Sequence, residues 1–132
     1  MELPVGGDLS TAVPACPFTA EKVSQLVGQP MVDEENCLFG DGKGIASVTI
    51  TTSSQLAGSG TYDHKRESAG KRYGHVTDVH KGDKAYVAVG DTEAEAVMIR
   101  EDGSYTLTLS SFSFDKAKYE QTLHAMLDGI PA

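Results

Sequence analysis

Three histidines, His64, His75 and His80, fall within 17 positions, close to Asp63, Asp78 and Asp83. Imidazole and carboxylate are ordinary ligands for divalent metals, and with a serine they are the parts of a hydrolytic triad. The spacing argues against both uses. No His-x-x-x-His pair exists, and His75 and His80, five apart on a strand, would point to opposite faces. Surface histidines are the expected reading. A small hydrolase or metal-dependent enzyme using His64, His75 and His80 with Asp78 is the alternative.

Other catalytic patterns are missing. No Gly-x-Ser-x-Gly elbow occurs, and Gly58-Ser59-Gly60 reads as a loop tripeptide. Gly40-Asp41-Gly42-Lys43-Gly44 lacks the Gly-Lys-Ser/Thr ending of a phosphate loop. Asp33-Glu34-Glu35-Asn36 reads as a solvated acidic turn. No catalytic residue, metal or cofactor is therefore assigned.

Charge is more informative. Net charge is −8 over 132 residues, which argues against nucleic-acid binding, because that affinity comes from neutralising phosphate. Yet residues 64–84 carry six cations, Lys65, Arg66, Lys71, Arg72, Lys81 and Lys84, against three carboxylates. That is a surplus of three, while the remaining chain has five cations against sixteen carboxylates. Tyr62, Tyr73 and Tyr86 stand close by. Arg with Tyr is a common composition of contact surfaces, so Lys65, Arg66, Lys71, Arg72, Tyr62 and Tyr73 are the candidate binding residues. The plainer reading is a charged surface loop.

Two cysteines, Cys16 and Cys37, flank a short helical pattern. A bridge between them would pin that helix to a sheet edge and stabilise the fold by roughly 3 kcal/mol. The alternative is two reduced, buried thiols.

The elements that must position these residues follow from periodicity. A helix is predicted from Thr19, with Phe18 and Val23 as a hydrophobic staple and Gly28 as its end. Leu38–Phe39 and Ile45–Thr52 read as strands. Residues 53–72 read as a loop, with a short helix over 62–69. A strand over 73–79 leads into a three-strand meander over 82–110. There Ala85, Val87 and Val89, then Val97 and Ile99, then Tyr105, Leu107 and Leu109 point inward, and Thr106, Thr108 and Ser110 face solvent. Asp102-Gly103 supplies a hairpin turn with positive φ at both residues. A closing helix over 116–127 is capped by Asp115 and stapled by Phe114 and Tyr119. The expected fold is α+β: one domain over 16–132, mainly antiparallel sheet, with N-terminal and C-terminal helices packed on one face. Residues 1–15 are expected to be a flexible lead without signal-peptide character, and no apolar run is long enough to cross a membrane.

A Cys before a short helix ending in Val-Gly (Cys16 to Gly28), a second Cys opening a strand (Cys37-Leu38-Phe39), and a Gly-Asp-Lys-Ala turn (Gly82 to Ala85) form a pattern. This pattern resembles small exported actinobacterial proteins and lipoproteins of unknown function with a PsbP-like fold, a sandwich around an antiparallel sheet. Phe39 stands near a place where that group often has Trp. The resemblance implies export and a cystine, and it implies no catalytic residues. The expected function is a non-enzymatic, extracytoplasmic binding or accessory domain, secreted or lipid-anchored, its export signal lying outside this chain. It would be a monomer contacting a protein or cell-envelope component. The Thr faces of the strands at 45–52 and 104–110 are a second possible docking surface.

Overall fold

A computed structural model of the chain describes residues 11–131. The element order is α1 (Ala20–Val27), β1 (Val32–Asp33), β2 (Leu38–Gly40), β3 (Ser47–Ser53), α2 (Gln55–Tyr73), β4 (Val76–Val79), β5 (Lys84–Val89), β6 (Glu93–Arg100), β7 (Gly103–Ser110) and α3 (Lys116–Gly129). The seven strands form one antiparallel sheet in the order β1-β2-β3-β7-β6-β5-β4. It consists of two meanders joined where β3 pairs with β7, so β7 lies at the centre and β4 at an edge. The α+β class expected from the sequence is the class observed.

The terminal helices follow their local signals. Thr19 Oγ1 accepts from the Lys22 N–H at 3.1 Å, and Gly28 ends α1 at φ 78°. Phe18 and Val23 are both buried. Asp115 accepts from Lys118 N–H, and the rings of Phe114 and Tyr119 meet edge-on at 5.1 Å. Tyr119 also ties α3 to the sheet side of the chain: its hydroxyl accepts from Phe112 N–H and donates to the Thr92 carbonyl. Both helices contribute to one large core with Val48, Ile50, Val87, Met98 and Leu107.

The middle of the chain departs from expectation. Residues 55–73 form one 19-residue helix, not a loop with a helix over 62–69. Glycines at 58, 60 and 70 disguise it, because each lowers intrinsic helix propensity. Tertiary packing overrides that cost. Ser54 caps the start through the Ala57 N–H, Gly74 ends it at φ 85°, and Tyr62, Ala69 and Tyr73 form the buried stripe. The strand expected from residue 73 begins at Val76 for the same reason.

This helix lies on the opposite face of the sheet from α1 and α3, so the helices cover both faces rather than one. A second cluster of Tyr62, Ala69, Tyr73, Tyr86, Ala88, Val97 and Ile99 sits beneath it. Strands β5 and β6 are consequently apolar on both sides: in β5 every residue from Ala85 to Val89 is buried. The 99–104 hairpin also differs from its predicted form. Arg100 pairs with Gly103, so Glu101 and Asp102 are the loop residues, and only Gly103 has positive φ there. A Cβ on Gly103 would collide with Pro14. The rest of the lead predicted before Cys16 lies largely outside the described residues.

Candidate functional site

The residues singled out in the sequence are sorted by α2. Positions 62, 66, 69 and 73 recur at helical spacing, which carries Tyr62, Ala69 and Tyr73 under the helix. The two tyrosines expected on a contact surface are thus packing residues, 5% and 8% exposed. Tyr62 meets Tyr86 edge-on at 5.5 Å, and the Lys84 ammonium lies over the Tyr62 ring at 4.7 Å. Burial first, then the Asp78 charge, pushes the Tyr62 hydroxyl up to about 12.

The cations divide between the two flanks of α2. On the side of β4, Arg66 Nε donates to Asp78 at 2.7 Å. That hydrogen bond is the main reason the guanidinium's pKa is raised. On the side of β6, Arg72 pairs with Glu93 at 3.2 Å, and Lys65 donates to Thr106 Oγ1 at 3.2 Å. Lys71 pairs along the outer surface with Glu67, and Lys81 reaches Asp128 of α3. Four of the six cations therefore sit in ion pairs. The surplus counted along residues 64–84 is offset in space, because Glu93 and Asp128 come from elsewhere in the chain.

What the fold builds from these residues is a cleft of about 550 Å³ between α2 and the β4–β5 turn. Arg66, His80, Lys81 and Lys84 line it together with Asp63, Asp78 and Asp83. Among the described residues, Asp63, Asp83 and Lys84 make no ion pair, so the cleft offers charge of both signs to a visitor. Beside it runs β4, which among the described residues pairs with β5 alone. Val89 N–H donates to the His75 carbonyl, so the backbone groups of His75, Thr77 and Val79 face β5. By the alternation of an antiparallel ladder, those of Val76 and Asp78 face outward.

The histidines do not converge. His75 and His80 flank opposite ends of β4, and His75 lies within 3.3 Å of the Thr77 hydroxyl. His64 stands on the other flank of α2, beside Ser68 and Arg72. Among the described residues, no group of three or more His, Cys, Asp or Glu could hold a metal ion. Among the described residues, the three histidines of the alternative enzymatic reading are thus not brought to one place.

At the opposite edge of the sheet, Cys16 and Cys37 form a disulfide, with Cα atoms 5.6 Å apart. It joins the approach to α1 to the entry of β2. A concavity of about 680 Å³ next to it is lined by Phe18, Asp33, Glu35, Phe39 and Ile50 and holds no basic side chain. The predicted Thr surface also exists. Strands β3 and β7 pair Ser47 with Ser110, Thr49 with Thr108, Thr51 with Thr106 and Ser53 with Ser104, on the face that α2 covers. It is hydroxylated and mostly half-buried, not an apolar patch open to solvent.

The sequence reading counts Lys81 and Lys84 with Arg66 in one basic stretch and keeps His80 for the enzymatic alternative; the fold lines one cleft with all four. The available signal was Ser54 and Gly74 as the two caps of one long helix, with Tyr62, Ala69 and Tyr73 between them as its buried stripe. No helix of the described residues is long and apolar enough to cross a membrane. Comparison with protein-family models, with curated proteins and with solved structures finds no match.

Proposed function

We propose that this chain is a non-enzymatic, extracytoplasmic domain that binds a protein partner at the cell envelope through the cleft between α2 and the β4–β5 turn. The observation that carries the reading is the cleft itself. It combines Arg66 and Lys84 with Asp63 and Asp83 next to a strand edge that no other described strand covers. Mixed charge suits a protein surface better than a polyanion, whose binding depends on one-signed cationic neutralisation. An extended partner segment would add to β4 through the outward backbone groups of Val76 and Asp78, a common mode of peptide capture.

The Cys16–Cys37 disulfide supports an oxidising compartment, since such bonds persist outside the reducing cytosol. The PsbP-like relationship belongs to the same proposal. Its support is the antiparallel sheet with helices on both faces. The test is binding to isolated cell-envelope fractions by the oxidised chain and by Arg66→Gln/Lys84→Gln. A control carries Lys116→Gln/Lys118→Gln on α3, across the sheet.

A further inference from the structure

Glu35, Asn36 and Cys37 are three consecutive residues with left-handed backbone, at φ 72°, 57° and 60°. Among the described residues, Ser111 is the only other non-glycine with positive φ. A residue with a Cβ is disfavoured there, because the Cβ crowds the following carbonyl oxygen. Asn tolerates the region through its short polar side chain, but as a single residue rather than in a run. Such strain persists only where the surroundings impose it, and it gathers at switch segments.

The contacts that impose it can be named. The Asp33 carboxylate accepts from the Glu35 N–H at 2.7 Å, and the Leu38 N–H closes the turn on the Glu35 carbonyl at 3.2 Å. The Cys37 carbonyl accepts from the Ile50 N–H at 3.0 Å, and the Cys37 sulfur is bonded to Cys16. Asp33 belongs to β1, a strand of two exposed residues that among the described residues pairs with β2 alone. The weak strand and the strained turn therefore hold each other, and the covalent member of the set is the disulfide. That bond is accessible: Cys16 is exposed, Cys37 is half-buried, and both line the concavity of about 680 Å³ at this edge.

We propose that Cys16–Cys37 is a redox latch. A dithiol reductant, such as the active-site pair of a thiol–disulfide exchange protein, opens it. The turn over 34–37 then leaves the left-handed region, and β1 parts from β2. A thiolate of the reductant attacks the Cys16 sulfur and bonds to it, and Cys37 leaves as a thiolate that takes up a proton. The reductant's second thiol, having lost its proton, attacks the first. That forms the reductant's own disulfide and releases Cys16 as a thiolate, which is protonated in turn. Two electrons pass from the reductant to the cystine. No residue from 32 to 36 belongs to the core beneath α1 and α3, so the opening stays local and bares the backbone edge of β2. The latch lies at the opposite edge of the sheet from the partner cleft, and it stands whether or not that cleft binds a protein.

The test is backbone NMR of the full chain, first oxidised and then reduced with dithiothreitol. The expected result is loss of the Val32–Gly40 and Asp33–Phe39 cross-strand contacts. The couplings of Glu35, Asn36 and Cys37 should move to values for negative φ, with the Val87 and Leu107 resonances in place. The strain is tested separately, by thiol–disulfide equilibrium against dithiothreitol. Glu35→Gly, which accepts positive φ freely, should shift that equilibrium at least threefold toward the disulfide. Glu35→Ala removes the same charge but keeps a Cβ, and should leave it within twofold. An unchanged turn in the reduced chain, or collapse of the Val87 and Leu107 resonances along with it, would overturn the proposal and leave the bond a passive staple. Equal equilibria for the glycine and alanine variants would overturn it as well.

Discussion

Gly58 of α2 lies directly against the side chain of Ser104 in β7. A Cβ at residue 58 would overlap Ser104 and come within 2.9 Å of Ile99 Cδ1. Ser104 cannot easily retreat, because its hydroxyl is engaged by Ser53 and the Ser54 carbonyl. The glycine that made this stretch look like a loop is the residue that lets the helix touch the sheet.

Gly58→Ala and Gly60→Ala should therefore differ in sign. At Gly60 nothing lies within 4 Å of a new Cβ, so alanine should stabilise by about 0.5–1 kcal/mol through helix propensity alone. At Gly58 the same gain is outweighed by overpacking, for a net loss of about 1–2 kcal/mol. Urea unfolding of the two variants checks this. Equal effects at both sites would mean that α2 stands off the sheet.

The disulfide should contribute strongly. Bridging residues 21 apart corresponds to roughly 3 kcal/mol on a chain-entropy estimate. Cys16→Ser/Cys37→Ser should lower the urea midpoint accordingly. Thiol titration of the unreduced, unfolded chain should detect no free sulfhydryl, and two reactive thiols would refute the bond.

Acid should act partly through Asp102. Its carboxylate is held below the ordinary value of 3.8, first by the hydrogen bond from Arg100, which is bidentate at 2.9 and 2.6 Å. A folded pKa below the unfolded one gives stability that is complete above the unfolded value and lost as pH falls through the folded one. Asp102→Asn should lower stability at neutral pH and flatten its decline below about pH 4. An unchanged acid profile would show that this pair contributes nothing.

Proline scanning should reveal the polarity of β4. Val76→Pro removes an N–H that faces away from β5, whereas Thr77→Pro removes one that faces it. The second variant should be the less stable by about 1–3 kcal/mol, the cost of a buried unmade hydrogen bond. Val76→Pro should lose partner binding while remaining folded. The reverse order of stability, read by thermal unfolding, would invert the ladder.

Much of the fold was legible where one signal dominated. Thr19, Gly28 and Asp115 act as the caps their types announce, and the Tyr105–Leu107–Leu109 alternation marks a real inner face. The helix over α2 was not legible, because its evidence is long-range: Gly58 is explained only by Ser104, 46 positions later. The two-sided burial of β5 and β6 was hidden for the same reason, since Tyr86 and Val97 need a cover that the local pattern does not reveal. At the candidate site, charge counted along the chain gives the wrong local balance. Arg72 and Lys81 find their carboxylates on β6 and α3, and that pairing appears only once the chain is folded.

The most direct test of the proposed role is retention of the oxidised chain on a cell-envelope fraction. Arg66→Gln/Lys84→Gln should abolish saturable binding, while Lys116→Gln/Lys118→Gln leaves it within twofold of the unmodified chain. Equal binding by both variants, or selective loss in the α3 variant, would contradict a partner site in the cleft beside β4.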